Sequence, residues 1–278
     1  MKRTLFMVVC GLCCANFAWS QEDGKSASLF EISIDSDVLA EKSDEDLLDM
    51  MEGCKLMGLS AECVCVGEVL LERNLASDQR LETLLALAKA YESIDEKWAG
   101  PQTRRSYQQI LDEYPDAACA DRVALRLGEL YDHILRPGTT ANSQKAQVYF
   151  KQIIDAYEKN VREDQKTDMV VLRAYIHLGN IYARRRNYDS ANTCYAAIYH
   201  CDPDSVIDGD RESFRVLRAV KTLQEVAGKR LVHNCIRPDS QDSLAAFEQL
   251  EIDYADDLEL LEYTFTVKQD YLERLEED

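Results

Sequence analysis

The sequence predicts an all-α protein built from successive helical hairpins. Three observations support this prediction. Apolar residues recur at helical spacing, as do Leu178 and Tyr182, which would share one face of a helix. Turn and helix-breaking residues such as Pro203 separate these periodic stretches. A short phrase, Leu-Gly-x-x-Tyr or Leu-Ala-x-x-Tyr, also returns along the chain, beginning at Leu87, Leu127 and Leu178.

Residues 172–205 carry this pattern most completely. The stretch reads Tyr175-x-x-Leu178-Gly179-x-x-Tyr182, then Ala191-x-x-x-Tyr195, then Pro203. Gly179 and Ala191 are small, so we expect two helices to approach closely there. Asn187 is predicted to end the first helix of the pair, and Pro203 the second. One such hairpin cannot bury its own apolar face, which predicts neighbouring hairpins on either side.

The spacing resembles that of the tetratricopeptide repeat, with Tyr at the Trp and Phe positions. Residues 81–117 and 121–160 repeat it with short insertions. The phrase from Tyr107 to Pro115 is similar to one in exported bacterial envelope proteins of this family. Two such groups share it, the periplasmic coordinator associated with the Tol-Pal system and the outer-membrane assembly lipoprotein. The resemblance implies a right-handed α-solenoid with three clear repeats, at 81–117, 121–160 and 172–205.

Further helices are predicted at both ends of the repeats. Residues 43–76 read as a helical hairpin, with Ser60 capping its second helix, and residues 206–278 as a degenerate repeat followed by capping helices. In the last helix, Leu258, Leu261, Phe265 and Tyr271 are expected on one side and acids on the other. The stretch from Trp98 to Pro101 is predicted to be a loop inserted in the first repeat.

The N-terminus reads as a secretory signal. Met1-Lys2-Arg3 precedes an apolar run up to Phe17, and Ala18-Trp19-Ser20 forms a small-x-small site. The run is too short for a membrane span of roughly 20 residues. We therefore expect a signal peptide at 1–20, a poorly ordered leader at 21–42, and an exported, periplasmic protein without an integral membrane span. A lipid anchor is the rival interpretation, although no cysteine stands in the usual Leu-x-small context.

The chain is strongly acidic, with a net charge of −19. Loss of residues 1–20 removes Lys2 and Arg3 and takes the charge to −21. Binding to double-stranded nucleic acid depends on neutralising phosphates with Lys and Arg. The composition therefore argues against a nucleic-acid partner.

Seven cysteines lie beyond residue 20. A disulfide from Cys54 to Cys63 or Cys65 is one interpretation, and small buried apolar residues are the other. Catalytic signatures are absent from the sequence: it contains no His-x-x-x-His pair, no Gly-x-Ser-x-Gly phrase and no phosphate-binding loop. We accordingly expect no enzyme activity, no cofactor and no metal.

The candidate binding residues follow from the resemblance, which implies that the first helix of each repeat lines a concave groove. Two hypotheses for these side chains stay open. They bind a partner carboxylate, which Arg grips with two parallel hydrogen bonds, or they pair with acids of the chain itself, such as Glu129 and Asp132. The candidates are Arg122, Arg126, Arg173, His177, Asn180 and Arg184.

The function predicted from these patterns is a non-catalytic scaffold or adaptor in the bacterial cell envelope. Its partner would be another envelope protein or a peptide segment held in the groove. Association of the chain with copies of itself is a further possibility that the sequence leaves open. One alternative is a subunit of an outer-membrane assembly complex. Another is a thiol-redox factor that uses Cys63 and Cys65, which lie two residues apart rather than in a Cys-x-x-Cys motif.

Overall fold

A computed structural model describes residues 36–94, 96–134, 140–160, 166–208 and 213–277. Almost all of these residues are helical, which confirms the all-α prediction. The signal peptide at 1–20 and residues 21–35 of the predicted leader lie outside the described residues, so export stays a prediction. The rest of the leader, which was expected to extend to residue 42, contains a short helix, Ser36–Ala40, with Leu39 fully buried. The described residues form two compact units that divide after Pro115.

In the part of the chain that the structure describes, the first unit contains five helices, and four of them share one apolar core. Buried residues of α1 to α4, such as Leu47, Val66 and Leu87, form that core. The helices are α1 (Ser36–Ala40), α2 (Asp44–Met57), α3 (Ser60–Leu71), α4 (Ser77–Ser93) and α5 (Glu96–Glu113).

Local capping explains where α2 begins and ends. The Ser43 hydroxyl accepts a hydrogen bond from the backbone N–H of Asp46 at 3.2 Å, which satisfies one of the unpaired donors of the first turn. Gly58 ends the helix with φ 69°, a left-handed conformation that favours glycine. Ser60 differs from its predicted role, because it is the first residue of α3 and its side chain makes no capping bond.

The predicted loop from Trp98 to Pro101 is wrong. Helix α5 begins at Glu96 and continues through this stretch. The buried residues Thr103, Tyr107 and Ile110 lie at helical spacing and mark the packed face of α5, a helix that contacts α4. Pro101 stands near the start of the helix, where its missing N–H costs one backbone hydrogen bond.

Among its described residues, the second unit holds seven α-helices and one very short pair of parallel strands. Strand β1 (Thr167–Asp168) pairs with β2 (Val206–Ile207), a pairing that the sequence did not predict. A π-helical turn, Leu130–Ile134, directly follows α6. The helices are α6 (Ala120–Glu129), α7 (Thr140–Asn160), α8 (Met169–Arg184), α9 (Tyr188–Tyr199), α10 (Ser213–His233), α11 (Ser240–Asp253) and α12 (Leu258–Glu277).

Two hairpins of this unit pack in the same way. A Cβ atom placed on Gly128 would lie 2.6 Å from the Phe150 ring, and one on Gly179 would lie 2.6 Å from the Tyr195 ring. In both hairpins, α6–α7 and α8–α9, an aromatic ring of the second helix thus packs directly against a glycine of the first helix. This confirms the close approach predicted at Gly179. Stacking of the hairpins into a right-handed solenoid stays a prediction.

The turn between α8 and α9 differs from the prediction. Helix α8 ends at Arg184, and Arg186 takes the left-handed conformation with φ 60°. The Asn187 side chain accepts a hydrogen bond from the N–H of Ser190 at 3.2 Å. Asn187 therefore caps the start of α9, which was not predicted. Its backbone N–H also donates to the Tyr182 carbonyl at 3.0 Å, so it closes the end of α8 as well.

The face of α12 that packs against the protein also differs from the predicted one. Leu258 and Phe265 were expected on the packed side, but they are 80% and 62% exposed. Leu260 and Val267 are buried in their place. The apolar residues of this helix occupy more than one face, so their spacing alone did not identify the packed one.

No helix in the described part of the chain combines the length and apolar character needed to cross a bilayer.

Candidate functional site

Helices α6 and α8 border a cleft of about 410 Å³. Three of the predicted groove arginines meet there, two from α6 and one from α8. The residues that line it are Arg122, Leu125, Arg126, Glu129, Met169, Val170, Arg173 and Asp208.

The cleft has an apolar floor and charged walls. Leu125, Met169 and Val170 are each at most 5% exposed and belong to the packed faces of their helices. Arg122 and Arg126 stand one turn apart on α6, so they project from the same face. Such an arrangement can hold an apolar side chain of a ligand together with an anionic group.

Glu129, in one wall of the cleft, contacts two basic side chains. Its carboxylate accepts from Arg126 Nη1 at 2.8 Å and from His177 Nε2 at 3.2 Å. Burial alone would raise the pKa of Glu129, but the hydrogen bonds from His177 and Arg126 outweigh it and lower the pKa to about 2. Arg126 therefore interacts with an acid of its own helix, as the second hypothesis expected.

His177 and Asn180 are engaged inside the fold. The His177 ring stacks on Phe150 with centroids 5.1 Å apart, in addition to its contact with Glu129. The Asn180 side-chain oxygen accepts a hydrogen bond from the Tyr195 hydroxyl at 2.8 Å. Neither residue lines the cleft, so their role in the structure is to position α8 against its neighbours.

Arg184 likewise does not line the cleft. It pairs with Asp132 of the π-helical turn, whose side chain is completely buried. This ion pair ties the end of α8 to the turn that follows α6. Arg184 thus also follows the second hypothesis.

Arg122 and Arg173 behave differently from the other candidates. Both are exposed, and neither forms an ion pair or a side-chain hydrogen bond with any residue that the structure describes. They are therefore available to an anion from outside the chain. Each of the two hypotheses holds for part of the predicted set.

Sequence reasoning missed Met169, Val170 and Asp208 as lining residues. The parallel pairing of Asp168 with Ile207 brings the segment after β2 to the cleft. A two-residue strand pair leaves no periodic signal in the sequence. The apolar start of α8 was visible, but its contribution to the floor depends on how α8 packs.

The cysteines give little support to thiol chemistry. None of the seven described cysteines takes part in a disulfide, and Cys54 and Cys63 are buried. Of the two interpretations, that of small buried apolar residues therefore fits these two cysteines better than a disulfide. Burial raises the pKa of the Cys63 thiol and, together with Glu68 and Glu62, that of Cys65. A reactive thiol needs a lowered pKa. Over the same described residues, no group of three or more His, Cys, Asp and Glu side chains is arranged to hold a metal.

No protein-family model matches the chain, and no curated protein matches it significantly. The tetratricopeptide resemblance therefore rests on the residue spacing and on the two glycine–aromatic contacts described above.

Proposed function

We propose that the protein is a non-catalytic scaffold that binds a segment of another protein in the cleft between α6 and α8. Arg122 and Arg173 would grip a carboxylate of that segment, while an apolar side chain rests on Leu125 and Met169. The observation that carries this proposal is the presence, on one cleft of a chain with net charge −19, of two arginines that form no ion pair with any residue the structure describes.

The charge distribution supports an acidic ligand group. The other basic residue on the cleft, Arg126, is paired with Glu129 at 2.8 Å. Arg122 and Arg173 are the arginines of the cleft that form no ion pair with a described residue, and with Asp208 also counted the lining carries three basic and two acidic side chains. Arginine forms bidentate bonds with carboxylates, and the apolar floor adds burial of hydrophobic surface. A cell-envelope partner, in an outer-membrane assembly complex or elsewhere, remains part of the proposal through the predicted signal peptide.

The proposal is tested by capture from an envelope extract of the source cell. The bait is the full chain or its Arg122→Glu/Arg173→Glu variant, and captured proteins are quantified by mass spectrometry. We expect one or more proteins whose recovery falls at least about tenfold with the variant, which corresponds to about 1.4 kcal/mol of binding energy.

A matched control is Arg105→Glu/Arg218→Glu. Both residues are exposed and have no ion pair in the described part of the chain, so this variant makes the same change of charge elsewhere. Recovery equal to wild type is expected for the control. Equal recovery by the Arg122→Glu/Arg173→Glu variant, with unchanged helical content, would refute binding in this cleft.

A further inference from the structure

A second cleft of about 510 Å³ lies elsewhere in the second unit. It is formed where the end of α9 meets the turn between α11 and α12. It shares no lining residue with the cleft of Arg122 and Arg173.

Three aromatic rings form one side of this second cleft. Tyr254 stacks on His200 with centroids 5.4 Å apart and meets Tyr199 edge-on at 5.7 Å. The Tyr199 hydroxyl donates to Asp257 at 2.6 Å, which fixes this ring at the start of α12. The aromatic side is thus held in place before any ligand arrives.

Exposed aliphatic side chains border the rings. Ile252 and Leu258 both line the cleft and are 69% and 80% exposed. Phe265, 62% exposed, follows Leu258 by two helical turns on the same face of α12. Exposed apolar residues gathered beside a cleft are typical of an interaction surface.

The charge of the cleft is entirely negative. Its lining includes Asp253, Asp256 and Asp257 and contains no Lys or Arg. None of the three forms an ion pair with a described residue. Burial raises the pKa of Tyr254, and the negative charges of Asp253 and Asp257 raise it further.

An adjoining cleft of about 840 Å³ extends this surface, because the two share Tyr199 and Asp257. It adds Glu259 and Glu262, two acids that form no ion pair with a described residue. Lys221 and Lys229 also line it, and Lys229 is paired with Glu225, so a cationic ligand is favoured on the side of the three aspartates.

We propose that this acidic aromatic surface, defined by Tyr254, Asp253, Asp256, Ile252 and Leu258, binds a partner-protein segment in which Lys or Arg alternates with apolar residues. The cationic groups would contact the aspartates and the ring faces, where cation–π attraction adds to the ion pairs. The apolar residues would cover Ile252 and Leu258. Charge complementarity selects this occupant over a second copy of a chain with net charge −19, whose equivalent surface would repel it.

The probe is a short fluorescent peptide in which Arg alternates with Leu, titrated with the full chain and followed by fluorescence anisotropy. We expect saturable binding that weakens as salt is added. Asp253→Asn/Asp256→Asn should weaken it by roughly tenfold or more. Tyr254→Leu and Leu258→Ser should each weaken it as well, because they remove the ring face and the apolar rim.

Three controls make the test specific. Glu45→Gln/Asp49→Asn removes two exposed acids of α2 and should leave binding unchanged, as should Arg122→Glu/Arg173→Glu. A peptide with Glu in place of Arg should not bind. The proposal is overturned if the Asp253→Asn/Asp256→Asn variant binds like wild type, if the Glu peptide binds equally well, or if Leu258→Ser only abolishes self-association of the chain.

Discussion

Glu129 of α6 and His177 of α8 meet at 3.2 Å, and both side chains are only 18% exposed. This contact joins the two helices that carry Arg122 and Arg173. It therefore sets the distance across the cleft in which we propose that a partner binds.

Replacement of Glu129 by Gln should destabilise the protein at neutral pH. The pKa of Glu129 falls from 4.5 to about 2 on folding, so its carboxylate contributes up to about 3 kcal/mol of stability. Because the folded-state pKa is the lower one, this contribution is complete above pH 4.5 and is lost as the pH falls towards 2. Denaturant titrations of wild type and variant at several pH values would measure the difference, and a difference independent of pH would contradict the assignment.

Replacement of Gly179 by Ala should destabilise the second unit by about 1–3 kcal/mol, because the added methyl group overlaps the Tyr195 ring. Thermal or denaturant unfolding measures the change. Gly53 provides the control, since a Cβ atom there meets nothing within 4 Å. Alanine at this helical position should be neutral or stabilising by about 0.5–1 kcal/mol. Equal stability of wild type and the Gly179→Ala variant would contradict the close packing of Gly179 against Tyr195.

Replacement of Arg184 by Gln should cost about 1–3 kcal/mol, because the completely buried Asp132 side chain would lose a charged hydrogen-bond donor. A double-mutant cycle with Asp132→Asn isolates the pair, and we expect a coupling of at least about 0.5 kcal/mol. Arg186, exposed two residues further on, is the matched control, and its change to Gln should fall within about 0.5 kcal/mol. Additive effects at 132 and 184 would show that the two side chains act independently.

The cysteines should react slowly with iodoacetamide in the folded protein. Burial raises the pKa of the Cys194 and Cys235 thiols to about 12, so the reactive thiolate is scarce at neutral pH. Mass spectrometry of a timed alkylation should find these two modified only after denaturation. Rapid modification of Cys63 and Cys65 would instead support the alternative that the protein is a thiol-redox factor.

The parts of the fold that were predictable depend on neighbours along the chain. Ser43 and Gly58 act within one or two turns of their own helix, and Gly179 and Tyr195 belong to one hairpin. Asn187 was recognised as the residue that breaks α8, but the cap that its side chain provides for α9 was not. The helical path through Pro101 was missed because a proline near a helix start gives the same local signal as a loop.

The candidate site was predictable only as a set of positions. The family resemblance selected Arg122, Arg126 and Arg173, and the structure brings these three to one cleft. Their chemical state was not predictable. Arg126 is engaged by Glu129, whereas Arg122 and Arg173 have no partner in the described chain.

The sequence by itself determined the helical class, the hairpin unit and the small residues at which helices meet, because these follow from interactions between residues close along the chain. Only the tertiary structure decided which charges are neutralised and which apolar faces are left exposed. Arg184 forms an ion pair with Asp132, which lies 52 positions earlier in the sequence. Leu258 is exposed because α12 packs through Leu260 instead. Such pairings depend on how helices are placed against one another, which residue spacing along one helix does not encode.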